Sequence, residues 1–180
     1  DGGATNTTMG CIKDTPLLNS GQGSSTWTAY ANDSAGNENS SSVTFFVDSI
    51  SPEVTINVPA ASNYSSASFD FNVTLGENGS VMFSLDGGST NYTMDSTDNQ
   101  NFNYTNSSVA DGSYTFQVYA NDTLGNTNYT ESVDFVVDTT SPVVSISSPS
   151  NNSYSSDTGL DVLYTATDSN LDSCWRSLDN

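Results

Sequence analysis

The chain is 180 residues long, carries a formal net charge of −19, and has only two basic side chains, Lys13 and Arg176. Phosphate binding needs Lys and Arg to displace counterions, so composition argues against a nucleic-acid partner. The absence of histidine leaves no Ser-His or Cys-His pair for nucleophilic catalysis, and the sequence reads as a non-enzyme.

Ser, Thr and Asn supply about two residues in five, which favours strands and turns over helices. At 34% apolar, the chain is thin for one large core and suits small domains. No segment carries a sustained helical stripe or enough apolar residues to cross a bilayer. No signal peptide is recognised, and the opening DGGATNTT reads like the interior of a longer chain.

Taken in order, residues 1–48 give a Gly-rich turn, a break at Pro16 and two predicted strands, Ser24 to Asn32 and Ser41 to Asp48. That is the back half of a β-sandwich. Ser49 to Pro52 is a linker. Seven short alternating runs then fill 53–138: EVTINV, SFDFNVTL, SVMFSL, NYTMD, NFNYT, SYTFQVYAND and TESVDFVVD. Their number and spacing match an immunoglobulin-like or fibronectin III-like sandwich. The predicted core includes Phe71, Val73, Phe116, Val118, Phe135 and Val137, and no helix beyond a single turn is expected. A second linker, Thr139 to Pro142, leads to three further predicted strands, VVSISS, LDVLYTAT and SCWRSL.

The last hairpin occurs twice. Gln22 to Pro52 and Asp111 to Pro142 share an alternating strand, an Asn-Asp, a Gly-Asn turn, a second apolar strand and a Ser-Pro linker. The C-terminal SLDN also continues naturally into the N-terminal DGGATNTTM, because the join lies over SLDGGSTNYTM of residues 84–94. The expected organisation is therefore a back half (1–48), a complete all-β sandwich (49–138) and a front half (139–180). Each half is completed by a neighbouring unit, so the expected partners are copies of the chain, head to tail.

In that register Cys174 lies on the strand before the join and Cys11 just past the turn after it. Such a placement suits a disulfide between successive units; two separate buried thiols are the alternative. Twelve N-x-[ST] sequons are present, at Asn6, Asn32, Asn39, Asn63, Asn72, Asn78, Asn91, Asn103, Asn106, Asn121, Asn128 and Asn151. With lysine nearly absent they fit an extracellular N-glycoprotein. Asn32 and Asn121 are equivalent positions. Asp33 and Asp122 stand beside the Gly turns, while Asp48 and Asp138 close the last strands at the linkers. Carboxylates at domain poles are possible Ca²⁺ ligands, and Asx-turns are the plainer reading of the same residues.

The pattern DGSYTFQVYANDTLGNTN…SVDFVVDTTSPVVSISSP resembles the Ig-like and fibronectin III-like repeats of prokaryotic surface proteins, archaeal ones above all. It departs from antibody domains in lacking the paired intersheet cysteines around a strand-C tryptophan. The resemblance implies an extracellular stalk, filament, surface-layer or adhesin repeat, with an adhesin arm or glycan-binding accessory module as the alternative.

Overall fold

A computed structural model describes residues 8, 10, 11, 20–151, 156, 159 and 161–177. Asn6, Lys13, the DGGATN turn and the SLDN end lie wholly or partly outside them. The described residues contain no helix. Their strands fall into three groups, and only the middle group forms a two-sheet sandwich.

The first group is a hairpin of β1 (Gly23–Asn32) and β2 (Glu38–Val47), paired from Gly23↔Val47 to Asn32↔Glu38. The middle group runs through β3 (Val54–Val58), β4 (Asn63–Tyr64), β5 (Phe69–Leu75), β6 (Gly79–Ser84), β7 (Tyr92–Thr93), β8 (Asp95–Ser96), β9 (Asn101–Asn106), β10 (Gly112–Asp122), β11 (Thr127–Asn128) and β12 (Ser132–Val137). The last group pairs β13 (Val143–Ser148) with β14 (Leu163–Thr167).

In the middle group one sheet has the order β3-β5-β9-β8. The other has the order β4-β12-β10-β6-β7, with β11 added to β10. All neighbours are antiparallel except β4, which runs parallel to β12 through Asn63↔Val136 and Tyr64↔Val137. The first strand thus divides between the two sheets. Strict alternation drives the packing, since β5 buries Phe69, Phe71, Val73 and Leu75 while Asp70 stays exposed and Asn72 and Thr74 only partly buried. Those residues meet Phe116, Val118 and Ala120 of β10 and Phe135 and Val137 of β12 in one core. The Phe71 and Phe116 rings stack at 5.1 Å, and Phe83 packs 5.1 Å from Phe71 and 4.9 Å from Phe116. All six predicted core residues are among the buried ones.

Two differences from the sequence reading have physical causes. The run NYTMD is not one strand: Tyr92–Thr93 pairs with β6, and Asp95–Ser96 pairs with β9 in the other sheet. Met94 between them is buried and donates its N–H to the Val81 carbonyl, so the chain crosses from sheet to sheet there. The predicted strand SCWRSL is absent, as 171–177 form no strand. Its counterpart β6 pairs with β10 through Gln117↔Ser84 to Asp122↔Gly79, whereas among the described residues β1 pairs with β2 alone.

A tyrosine corner closes the turn before β10, where the Tyr114 hydroxyl donates to the Ala110 carbonyl at 2.9 Å. Ser84 is fully buried. Its hydroxyl donates to Asp86 at 2.7 Å and accepts the Gly88 N–H at 2.8 Å, which pins the turn after β6. Asp86 gains from these bonds and from the Thr90 N–H, so its carboxyl is held down at about 2. A depressed carboxyl contributes stability above the unfolded value, ~4, and loses it as pH falls through the folded one. Asp86 is therefore expected to stay ionised in the folded chain at pH 3. A carbon-detected titration of its side chain with a midpoint near the unfolded value would contradict this.

Candidate functional site

The chemistry of this chain gathers at the pole of the middle sandwich, where the first linker enters. Asp122 ends β10 and is more than nine-tenths buried. Its Oδ1 accepts the N–H groups of Leu124 and Asn126, both at 2.8 Å, and its Oδ2 accepts Asn126 Nδ2–H at 2.6 Å. The same Nδ2 donates to the Asp48 carbonyl at 3.2 Å, and Asn128 Nδ2 donates to the Pro52 carbonyl at 3.0 Å. The β10–β11 turn thereby holds both ends of the first linker.

Asp33 repeats the motif. It accepts the N–H groups of Ala35 and Asn37 at 2.9 Å and Asn37 Nδ2–H at 2.8 Å. Asp48 and Asp138 accept the N–H two residues on, from Ile50 at 3.1 Å and Thr140 at 3.0 Å. All four predicted aspartates are thus Asx-turn acceptors, the plainer of the two sequence readings.

The linkers are also tied from the residue just ahead of each hairpin's first strand. Asp111 accepts the Thr139 N–H at 3.0 Å and the Thr139 and Thr140 hydroxyls at 2.8 and 2.9 Å, which lowers its carboxyl below the ordinary range. Gln22 occupies the equivalent place, bonding the Ser49 hydroxyl and accepting the Ser49 N–H at 3.0 Å. At the second linker Asn170 Nδ2 donates to Asp138 at 2.7 Å. Each four-residue linker is consequently a hydrogen-bonded joint.

The structure brings Asp48 and Asp122 together with Glu77, which sequence reading missed, each offering an oxygen within 4.8 Å of the others. Among the described residues this is the only such acidic group; Asp33 and Asp138 lie outside it. Three clustered oxygens are the donor type Ca²⁺ takes, although the Asp122 oxygens already accept three N–H bonds. Burial, followed by repulsion from Asp48 and Asp122, pushes the Glu77 carboxyl up. A raised carboxyl favours folding below its unfolded value, and that advantage is lost as pH rises through the folded value. Glu77→Gln should accordingly stabilise the protein at pH 7 in EDTA, by at most about 1 kcal/mol, and do nothing near pH 3. A cation held by the three carboxylates would reverse the sign in millimolar Ca²⁺. Identical melting of wild type in Ca²⁺ and in EDTA would retire Ca²⁺ at these residues.

The sequons are distributed over both sheets and the turns. Asn32, Asn39, Asn63, Asn78, Asn91, Asn103 and Asn151 are exposed, whereas Asn72, Asn106, Asn121 and Asn128 are half-buried. Asn72 is engaged on both sides, accepting from Asn57 at 2.6 Å and donating to Asn103 at 2.5 Å. Cys11 and Cys174 are exposed and unbonded in the single chain. On the outer face of β10, Tyr119 and Tyr129 meet edge to face at 5.4 Å beside Gln117, over a shallow groove that reaches Asp86. No helix among the described residues is long and apolar enough to cross a membrane.

Residues 59–139 match the bacterial Ig-like domain family. No curated protein matches the chain. Two similar solved structures are an engineered protein, 18% identical over 51% of this chain and 21% of that one, and the fibronectin(III)-like modules of Clostridium thermocellum CbhA, 20% identical over 67% of this chain and 65% of that one. Both have a TM-score of 0.40, and the chain spans less than two thirds of the length of either. Strand order, tyrosine corner and the family match over 59–139 agree on an Ig-like β-sandwich fold for the middle of this chain.

Proposed function

We propose that the chain is a structural repeat of an extracellular, N-glycosylated filament, stalk or surface-layer protein, built from Ig-like domains joined head to tail. The single observation behind this reading is the repeated hairpin. Phe116↔Val133 and Gly112↔Val137 in the middle domain recur as Trp27↔Val43 and Gly23↔Val47 in the first hairpin, and each hairpin leads into a linker tied by the same kind of bonds. Ig-like domains of this kind are commonly surface modules without catalytic groups, and repetition with short tied linkers suits reach and stiffness. The sequons and the acidic surface suit an exposed location; the archaeal resemblance of the sequence points the same way.

Two measurements on material from the native surface test it. Glycopeptide mapping should find Asn32 and Asn121 modified alike, and bare asparagine at every sequon would remove the glycoprotein reading. Non-reducing peptide mapping should link the Cys174 peptide to the Cys11 peptide of the next unit. That bridge would close a loop of about 17 residues, contributing roughly 3 kcal/mol in the chain-entropy model. Two free thiols in assembled material would contradict it.

The Tyr119–Tyr129 pair beside Gln117 and Asp86 favours a second reading, a glycan-binding module, since exposed rings flanked by polar groups suit sugar faces. Glycan-array binding that Tyr129→Ala abolishes would support it over the structural role.

A further inference from the structure

The first and last hairpins each leave an apolar face uncovered. On β1 and β2 the inward-register residues are Trp27, Val43 and Phe45, exposed at 37%, 58% and 38%. Their counterparts Phe116, Val133 and Phe135 in the middle domain lie in or against its core. On β13 and β14, Val144, Ile146 and Tyr164 are exposed at 64%, 63% and 52%, and Val162 beside them at 51%. The ladder there is a copy of β3–β5. Val144↔Ala166, Ile146↔Tyr164 and Ser148↔Leu163 repeat Val54↔Leu75, Ile56↔Val73 and Val58↔Asn72, with the bulge at the same place. In the middle domain, β3–β5 is what covers the β10–β12 face.

Resting on the head-to-tail reading, we infer that the uncovered β1–β2 face of one copy is covered by the β13–β14 face of another, giving a second complete Ig-like sandwich in trans. Volumes support this occupant. The central Phe71–Phe116 stack of the middle domain corresponds to Val162 and Trp27, a smaller residue on one half and a larger one on the other. Likewise Tyr164 stands for Val73 on one half while Ala29 stands for Val118 on the other. Neither half on its own preserves the core volume, and the two together come close to it.

The strandless segment 171–177 fits the same partner. In the register of β6 on β10, Ser177 would face Thr28 and Trp175 would face Tyr30, as Ser84 faces Gln117 and Met82 faces Tyr119. Trp175 is 90% exposed and Tyr30 60%, and this pairing makes them a cross-strand aromatic pair on the outer face. The free edge of β1 would receive the strand that the sequence predicts and that the described residues 171–177 do not form in the single chain.

Such an interface is heterologous, so it propagates unless one face is blocked. Sedimentation velocity of the 180-residue chain tests it. Wild type should form a concentration-dependent series of oligomers, while W27E and I146E should each be monomeric. An equimolar mixture of the two should give a dimer and nothing larger, because only one intact face of each kind remains. The unfolding transition of the middle sandwich, which contains neither residue, should be unchanged in both variants and shows that they fold. A monomeric wild type at every concentration, oligomers that persist in either variant, or a mixture that stays monomeric would each overturn the inference. Any of these results alongside glycans at Asn32 and Asn121 would remove the split sandwich and leave the surface-repeat reading standing.

Discussion

Replacing Phe71 by alanine is expected to cost the middle sandwich about 3–5 kcal/mol, the range for deleting a fully buried aromatic ring. Phe71 is the hub of the core. Its ring contacts those of Phe69, Phe83, Phe116 and Phe135, at 5.5, 5.1, 5.1 and 6.2 Å. At 0% exposure it has no route by which water could fill the space it leaves. A domain of this size has total stability on the order of 5–13 kcal/mol, so the loss is a large share of it. Its melting transition should fall by roughly 12–40 °C, at about 4–8 °C per kcal/mol. Leu124→Ala, at an exposed turn position, should stay within about 0.5 kcal/mol of wild type. Comparable losses in the two variants would mean that the aromatic stack is not the centre of the fold.

The second large effect is expected at Gly79, where β6 begins opposite Asp122. A Cβ there would lie 2.2 Å from the Asn121 carbonyl oxygen and 2.9 Å from Leu75 Cδ1. The nearer obstacle is backbone on the central strand of the sheet, and it cannot swing away as a side chain would. Gly79→Ala must therefore push β6 from β10, at a cost of about 3 kcal/mol, the upper end of ordinary overpacking. Gly125→Ala separates crowding from backbone strain, because Gly125 has a φ of +92° and no atom within 4 Å of its Cβ position. It should lose only about 1 kcal/mol, from left-handed backbone alone. Denaturant midpoints for the two variants give the comparison directly. Equal losses would contradict the close approach of β6 to β10.

Period-2 alternation made the long strands legible. Phe71 and Val73, and Phe116 and Val118, each read from the sequence as part of one buried face, and they are, with Phe69, Leu75 and Ala120 on the same faces. The sheet switch at Met94 was not legible, because NYTMD alternates like a single strand and only the burial of Met94 between the sheets divides it. The tyrosine corner carried a faint signal, a Tyr four residues after Ala110, which the first hairpin erases by placing Ser25 there. Strand propensity alone did not form SCWRSL, since a strand needs a neighbour and its neighbour in register is an edge of β1 that no other described residue pairs with.

At the pole, Asp48 and Asp122 were picked out by their places beside the turn and the linker. Glu77 was not, as it lies in a tight turn between β5 and β6 and meets them only once the sandwich closes. The duplicated Asp33 and Asp122 motifs show why the aspartates recur: each satisfies the backbone of its own Gly turn before anything else. Asn37 and Asn126, which complete those motifs, belong to no sequon and read from sequence only as the Asn of each Gly-Asn turn, although Asn126 also bonds the linker.

The axial rise per 180 residues, read from filaments by electron microscopy, tests the head-to-tail array most directly. A strand of 7–10 residues spans about 23–34 Å, and with turns at both poles a domain occupies about 35–45 Å. Two domains in line then give an expected rise of roughly 70–90 Å per 180 residues. A rise below about 50 Å would place the domains side by side and contradict the end-to-end array.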